Sequence, residues 1–291
     1  MNRKKEAVAG WVFMAPALVI FVALVLLPVI ASFALSFTEW NFLSGLDGIE
    51  FVGLDNFKKL FTRDRKFNKA LVNTIIYAVT TTPISTAFAL LAAYMLNEKV
   101  YLKKFYRMCF FVPYISSMVA LSAVFKFLFR TDGPINAVLT GVFGMETIPA
   151  WLTDSQLCRV PIICVMIYGG VGFSLIVYMA ALQSVPKNLY EAASIDGAGA
   201  VTSFFKITFP MISPTTFYLL IVRLIAAFKV FTAVNIMGVG GNSISLVKKV
   251  YDEAFGSYNF GYASAASWVL VAIILVVTLV QMWGQKKWVH Y

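Results

Sequence analysis

Long uncharged apolar stretches alternate with short polar ones along this chain, and their lengths predict its elements. From Trp11 to Thr38 no residue is charged. A helix needs about 20 apolar residues to cross the hydrocarbon core of a bilayer. Six stretches reach that length, roughly 11–37, 70–96, 108–129, 158–182, 211–236 and 264–284. The first is too long for the apolar core of a signal peptide and reads as a retained span. The pattern predicts an all-α membrane protein of six transmembrane helices, one domain across residues 1–291. Trp11, Trp40, Trp151, Trp268, Trp283 and Trp288 fall at or outside the predicted span ends, where an interfacial belt of amphipathic rings belongs.

Composition narrows the class further. Hydrophobic residues make up 60% of the chain and charged ones 13%, and mean hydropathy is +0.79, outside soluble globular norms. A net charge of +10 raises the question of nucleic acid. The basic residues flank apolar stretches instead of forming one patch, so membrane lipid and not nucleic acid is the expected partner. Cys109, Cys158 and Cys164 are odd in number and lack ligand spacing, which predicts neither a disulfide framework nor a metal site.

Six spans put both termini on one side. Lys and Arg near spans favour the cytoplasmic face, yet eleven lie on the side of the termini, Lys99, Lys103, Lys104 and Arg107 among them, against ten opposite. The basic start Arg3-Lys4-Lys5 and the compact 99–107 loop favour termini inside. On the other side, Asp55 to Phe61 reads either as a surface helix, with Phe57, Leu60 and Phe61 on one side, or as solvated loop. Gly133-Pro134, Pro149-Ala150-Trp151, and Gly238 with Gly240 and Gly241 mark further outer turns.

The loop at 183–210 differs from the others. Pro186 suits the first turn of a helix, Lys187 to Ala193 contains good helix formers, and Gly197 supplies a bend. A second helical run from Val201 should stop at Pro210. Such an element between two spans is one that a partner can grip. Its Glu191-Ala192-Ala193, Asp196-Gly197-Ala198, Phe204, Ile207, Pro210 and Pro214 resemble, at their spacings, the signature loop of the membrane-spanning subunits of ATP-binding-cassette importers. The resemblance is greatest to the sugar and oligosaccharide permeases related to the larger maltose permease subunit. Phe111-Val112-Pro113-Tyr114-Ile115-Ser116, Gly133-Pro134-Ile135-Asn136, Leu182-Gln183-Ser184-Val185-Pro186, Gly240-Gly241 and Phe260-Gly261-Tyr262-Ala263 fit in order, so it runs from about Trp11 to the C-terminus.

That resemblance implies a type I importer permease fold with a cytoplasmic coupling helix, set in a bacterial cytoplasmic membrane with both termini inside. It implies import of a sugar or oligosaccharide by alternating access. The implied partners are a second six-span permease making a heterodimer, an ATPase dimer that binds Mg-ATP, and an extracellular solute-binding protein. Glu191, Ala192, Ala193, Asp196, Gly197, Ala198 and Pro210 would then face the ATPase. The alanines allow close approach, Gly197 permits a bend that an aspartate would crowd, Glu191 offers a charge, and Phe204 and Phe205 would pack the loop onto the spans. Positions lining the sugar site of the maltose relative fall on Gly170, Phe173, Ser174, Arg223, Ala226 and Ala227. Phe173 would offer an aromatic face, and Ser174 and Arg223 hydrogen bonds. Arg223 and the two alanines depart from that relative, so maltose itself is not implied. The guanidinium could bind the carboxylate of an acidic sugar or pair with one on a partner span. Thr232 and Asn242 stand where the family often has Asp and Pro.

The sequence motifs give catalysis by this chain little support. It has no Gly-x-x-x-x-Gly-Lys-Ser/Thr phosphate loop, no nucleophile elbow and one histidine, His290. It is expected to be no enzyme and to bind no cofactor. Two other functions stay open. An ion-coupled secondary transporter normally shows intramembrane carboxylates, and none of the six predicted spans has Asp or Glu. An importer for a non-sugar solute such as a glycerol phosphate is the other. Arg223 lies thirteen residues beyond Pro210, about 20 Å along a helix, and needs an internal explanation. Lys126 and Lys229 lie nearer the outer surface and could snorkel.

Overall fold

The computed structural model describes residues 3–97, 101–239 and 241–288. Lys99, Gly240 and His290 lie outside them. Among the described residues five helices are long and apolar enough to cross a membrane: Ala9–Leu35, Arg65–Asn97, Leu157–Ser184, Ser213–Met237 and Phe260–Gln285. A sixth span exists when Lys103–Ile115 and Met118–Leu128 are taken as one, and these two helices meet at 101°. The third predicted span is therefore bent and not one continuous helix. Pro113 cannot donate to the preceding turn. Ser116 and Ser117 then take extended backbone, with ψ of 148° and 128°, and the Ser116 hydroxyl donates back to the Val112 carbonyl at 2.7 Å.

Two other prolines are met by widening of the helix. A proline ring collides with the carbonyl four residues earlier and brings no N–H. The backbone opens to π-helix over Val22–Leu26, just ahead of Pro28, and over Phe204–Thr208, just ahead of Pro210. Pro210 thus does not end the second helical run of the 183–210 loop as expected. The chain stays helical through Met211 and turns at Ile212, before Pro214. The fifth span is interrupted between Phe228 and Thr232, where the Val230 carbonyl accepts from the Ser245 hydroxyl at 2.7 Å. Lys126 does not snorkel, because its amine donates to the Ile236 carbonyl at 2.7 Å.

The packing divides the chain into two compact units. In the unit of Met1–Arg65 with Lys249–Val271, a short antiparallel ribbon sets Thr38 opposite Phe51. The ribbon crosses Gly261 so closely that a side chain there would take the place of the Thr38 carbonyl oxygen. Asp55–Thr62 is helical and buries Asn56 and Leu60 while Phe61 stays exposed. The buried face follows hydrogen bonding as well as hydropathy, since Asn56 donates to the Ser36 and Thr38 carbonyls at 3.1 and 2.8 Å. Lys249 is buried between Asp64 at 2.8 Å and Glu253 at 2.7 Å, and the Tyr262 hydroxyl donates to Asp64 at 2.9 Å. Trp268 packs inside its helix against Phe33, ring centroids 4.8 Å apart, instead of marking a span end.

The unit of Lys66–Lys248 with Ala272–Tyr291 has a core built on Ala89, Ala93, Leu175, Tyr178, Leu182 and Leu219. Gly172 brings the Val160–Ser184 helix onto Lys103–Ile115, since a Cβ there would lie 2.6 Å from the Phe110 carbonyl oxygen. Asn136 joins two turns marked in the sequence, donating to the Thr131 and Pro149 carbonyls at 3.1 Å each and accepting from the Trp151 indole at 2.8 Å. Asn73 holds the segment after Gly241. Its amide donates to the Asn242 and Ile244 carbonyls at 2.9 Å each, while its oxygen accepts from Arg159 Nε at 2.7 Å.

Candidate functional site

The 183–210 loop contains the Lys187–Ile195 helix, which enters from extended Pro186 and buries no residue. Gly197 ends it in left-handed backbone, φ +75°. That conformation lets the Ala198 N–H donate to the Ala193 carbonyl at 2.8 Å and the Gly197 N–H to Ser194 at 3.2 Å, a closure glycine adopts readily. Nothing lies within 4 Å of a Cβ built at Gly197. Among the described residues no neighbour supplies the expected crowding at the bend, so within this chain it is the backbone angle that asks for glycine.

An exposed helix stays in place through the face it turns inward. The Tyr190 and Thr208 hydroxyls share a hydrogen bond of 2.9 Å, and the Phe204 ring packs edge-on to Tyr94 with centroids 4.9 Å apart. Tyr190, Phe204 and Ile207 all rest on the core through this face. Phe205, expected to pack the loop onto the spans with Phe204, lies edge-on to the Phe204 ring at 5.1 Å but is itself 64% exposed. The outward face carries Glu191, Ala192, Asp196 and Gly197, all exposed, with Ala193, Ala198 and Pro210 half-buried. Sequence reasoning missed its apolar members, Ile195 at 87% and Val201 at 72% exposure. Both flank the Asp196-Gly197-Ala198 bend, and only the fold shows that neither has a neighbour to bury it.

The second constellation is a cavity of about 240 Å³ that brings together Gly170, Arg223, Ala226 and Ala227. Helices Val160–Ser184 and Ser213–Phe228 supply these four. Phe173 and Ser174 do not line it. The Phe173 ring lies 5.7 Å from that of Tyr114, and Ser174 is fully buried with no hydrogen-bond partner for its hydroxyl among the described residues. Arg223 folds across Gly170, where an added methyl group would displace the guanidinium. Its Nη2 reaches the Met166 carbonyl at 3.5 Å, beyond ordinary hydrogen-bond length, and its buried Nε has no partner among the described residues. Lys229 and Thr232 also line the wall, which among the described residues holds two cations and no carboxylate. Lys229 was missed as a lining residue because its place near a span end suggested snorkelling. The wall offers donors and space, and no acid–base pair. Among the described residues no three His, Cys, Asp or Glu gather as a metal site requires.

Residues 85–288 match the family described as binding-protein-dependent transport system inner membrane component. YesP, a probable ABC transporter permease protein of Bacillus subtilis (strain 168), is 33% identical over 99% of this chain and 94% of its own length. The lactose transport system permease protein LacF of Rhizobium radiobacter is 32% identical, covering 96% of this chain and 95% of its own. The multiple sugar-binding transport system permease protein MsmF of Streptococcus mutans is 31% identical with the same coverage, 96% and 95%. In fold the chain is similar to a bacterial ABC transporter involved in the import of the acidic polysaccharide alginate, with a TM-score of 0.84, 24% identity and 99% of both chains covered.

Proposed function

The chain belongs to the family of binding-protein-dependent transport system inner membrane components, and from that premise we propose that it is the permease subunit of an ATP-binding-cassette importer for a sugar or oligosaccharide. Relatives covering nearly its whole length bear names of lactose and multiple-sugar transport. The observation that carries the coupling role is the Lys187–Ile195 helix. Its Tyr190 and the following Phe204 rest on the core, yet Glu191, Ala192 and Ile195 on its outward face, with Gly197 just beyond its end, are exposed and without a packing partner among the described residues.

With no phosphate loop in this chain, a separate cytoplasmic ATPase dimer binds and hydrolyses Mg-ATP. A groove of that ATPase receives the helix: Ala192 and Ala193 permit close approach, Ile195 and Val201 enter apolar ground, and Glu191 meets a basic group. The loop and both termini are then cytoplasmic. The chain acts as one six-span domain beside a second, related permease, and an external binding protein delivers the sugar. Gly170, Arg223, Ala226 and Ala227 form this chain's share of the transport cavity. Phe173 and Ser174 do not line this cavity and are left out of that share.

A second reading concerns the solute. Two cations and no carboxylate on the described wall favour one that carries a carboxylate or phosphate. Competition of labelled sugar uptake by neutral and by anionic saccharides separates the two. Uptake by right-side-out vesicles loaded with ATP, and its absence from inverted ones, tests the importer itself, and uptake that persists after ATP depletion overturns it.

A further inference from the structure

A larger cleft, of about 490 Å³, lies apart from the Arg223 cavity and runs between the Lys103–Ile115 and Val160–Ser184 helices. Arg107 and Phe111 stand on one face of the first helix, and Ile176, Met179, Ala180 and Gln183 on one face of the second. From Ile176 to Gln183 the groove extends about 10 Å along the helix, against the roughly 15 Å that one leaflet contributes to the hydrocarbon core. Its wall is apolar along that length and polar only at the Arg107 and Gln183 end, which adjoins Pro186 and the start of the Lys187–Ile195 helix. The buried Nε of Arg107 has no hydrogen-bond partner among the described residues. Lys103 and Lys104 stand one turn earlier, and no Asp or Glu lines the described wall.

We propose that this cleft binds one anionic phospholipid, its phosphate on Arg107 and Gln183 and an acyl chain along Met179, Ile176 and Phe111. Each part of the wall matches part of that molecule. A guanidinium holds phosphate oxygens through a fork of donors. A pliable methionine accommodates a mobile chain. Basic pockets between transmembrane helices at an interface select anionic head groups. The lipid braces the Val160–Ser184 helix at the end where it passes into the coupling loop. The site rests on the membrane position of these helices and is independent of the solute carried.

The test uses the assembled transporter, released gently from membranes, exchanged into nanodiscs of phosphatidylglycerol or phosphatidylcholine and examined by native mass spectrometry. A single phosphatidylglycerol should stay bound. Arg107→Gln should lower its retention about fivefold, the factor equivalent to about 1 kcal/mol per basic residue at an anionic surface. Arg107→Lys should retain part of it. Ala180→Phe, which fills the cleft and leaves the charge, should lose it, and provides the readout if Arg107→Gln does not fold. Equal retention by wild type and both variants overturns the site, as does equal retention of phosphatidylcholine. A lipid-free transporter whose Ala180→Cys variant cross-links to a second permease also overturns it, since a protein helix then covers the cleft.

Discussion

Gly170→Ala is the smallest change that reaches the Arg223 cavity. The three atoms nearest the added carbon are Nη2, Cζ and Nη1 of Arg223. They are the far end of a flexible side chain, so the methyl group is accommodated by moving the guanidinium and not the backbone. Alanine for glycine inside a helix favours folding by about 0.5–1 kcal/mol. Thermal stability should therefore hold or rise. Function should not. A hydrogen bond to a charged group contributes about 1.5–3 kcal/mol, so moving Arg223 should weaken apparent affinity for the sugar by about ten- to hundredfold at 1.4 kcal/mol per tenfold. Initial uptake rates against sugar concentration in proteoliposomes read the affinity, and thermal unfolding in detergent reads the stability. In an Arg223→Ala background the glycine has nothing left to displace, so adding Gly170→Ala should change uptake no further, a non-additive pair. Losses that simply add would refute the idea that Gly170 acts through Arg223.

Other outcomes follow from the same geometry. Gly197→Asn should preserve sugar-stimulated ATP hydrolysis and Gly197→Val should lose it, because left-handed backbone costs most L-residues about 1–2 kcal/mol and Asn least; equal loss would mean that the partner's surface, not the backbone angle, demands glycine. Asn73→Leu strips partners from Arg159 and from the Asn242 and Ile244 carbonyls and should destabilise by about 2–4 kcal/mol, visible as a lower melting temperature; an unchanged one contradicts the clamp. Burial pulls the Lys249 amine down, but hydrogen bonds and charge from Asp64 and Glu253 outweigh it and hold its pKa above the ordinary lysine value. That stabilisation is complete below the free-lysine pKa of about 10.4 and fades as pH rises through the folded value. Heat stability should accordingly fall above about pH 10.4, and Lys249→Gln should remove that step at the cost of lower stability at neutral pH.

Hydropathy made most of the spans legible because span length is a property of composition. The bend after Ile115 was not, since a broken helix and a straight one have the same hydropathy. Its only trace in the sequence is Pro113 followed by Ser116-Ser117. The Lys187–Ile195 helix and the turn at Gly197 were legible from proline, helix formers and glycine. Ile195 and Phe205 were not, because exposure depends on what the rest of the fold leaves uncovered. Its depth in a predicted span and the resemblance both led to Arg223, and coordinates were needed to show that it lies on Gly170. Ser174 fits the same helical face by spacing, yet the core claims it. Lys126 reads as a snorkelling residue until the end of the Thr232–Met237 helix places a carbonyl, that of Ile236, within its reach.

The account turns on the Lys187–Ile195 helix as the contact with an ATPase. A photoreactive side chain at Ile195, which is 87% exposed and so tolerant of replacement, should cross-link in transport-competent membranes to a subunit that contains a phosphate-binding loop, and mass spectrometry of the adduct identifies it. Ile195→Asp should remove ATP-dependent uptake while leaving the protein folded in the membrane. Membranes that take up sugar normally with Ile195→Asp, and give no ATPase adduct from that position, would contradict it.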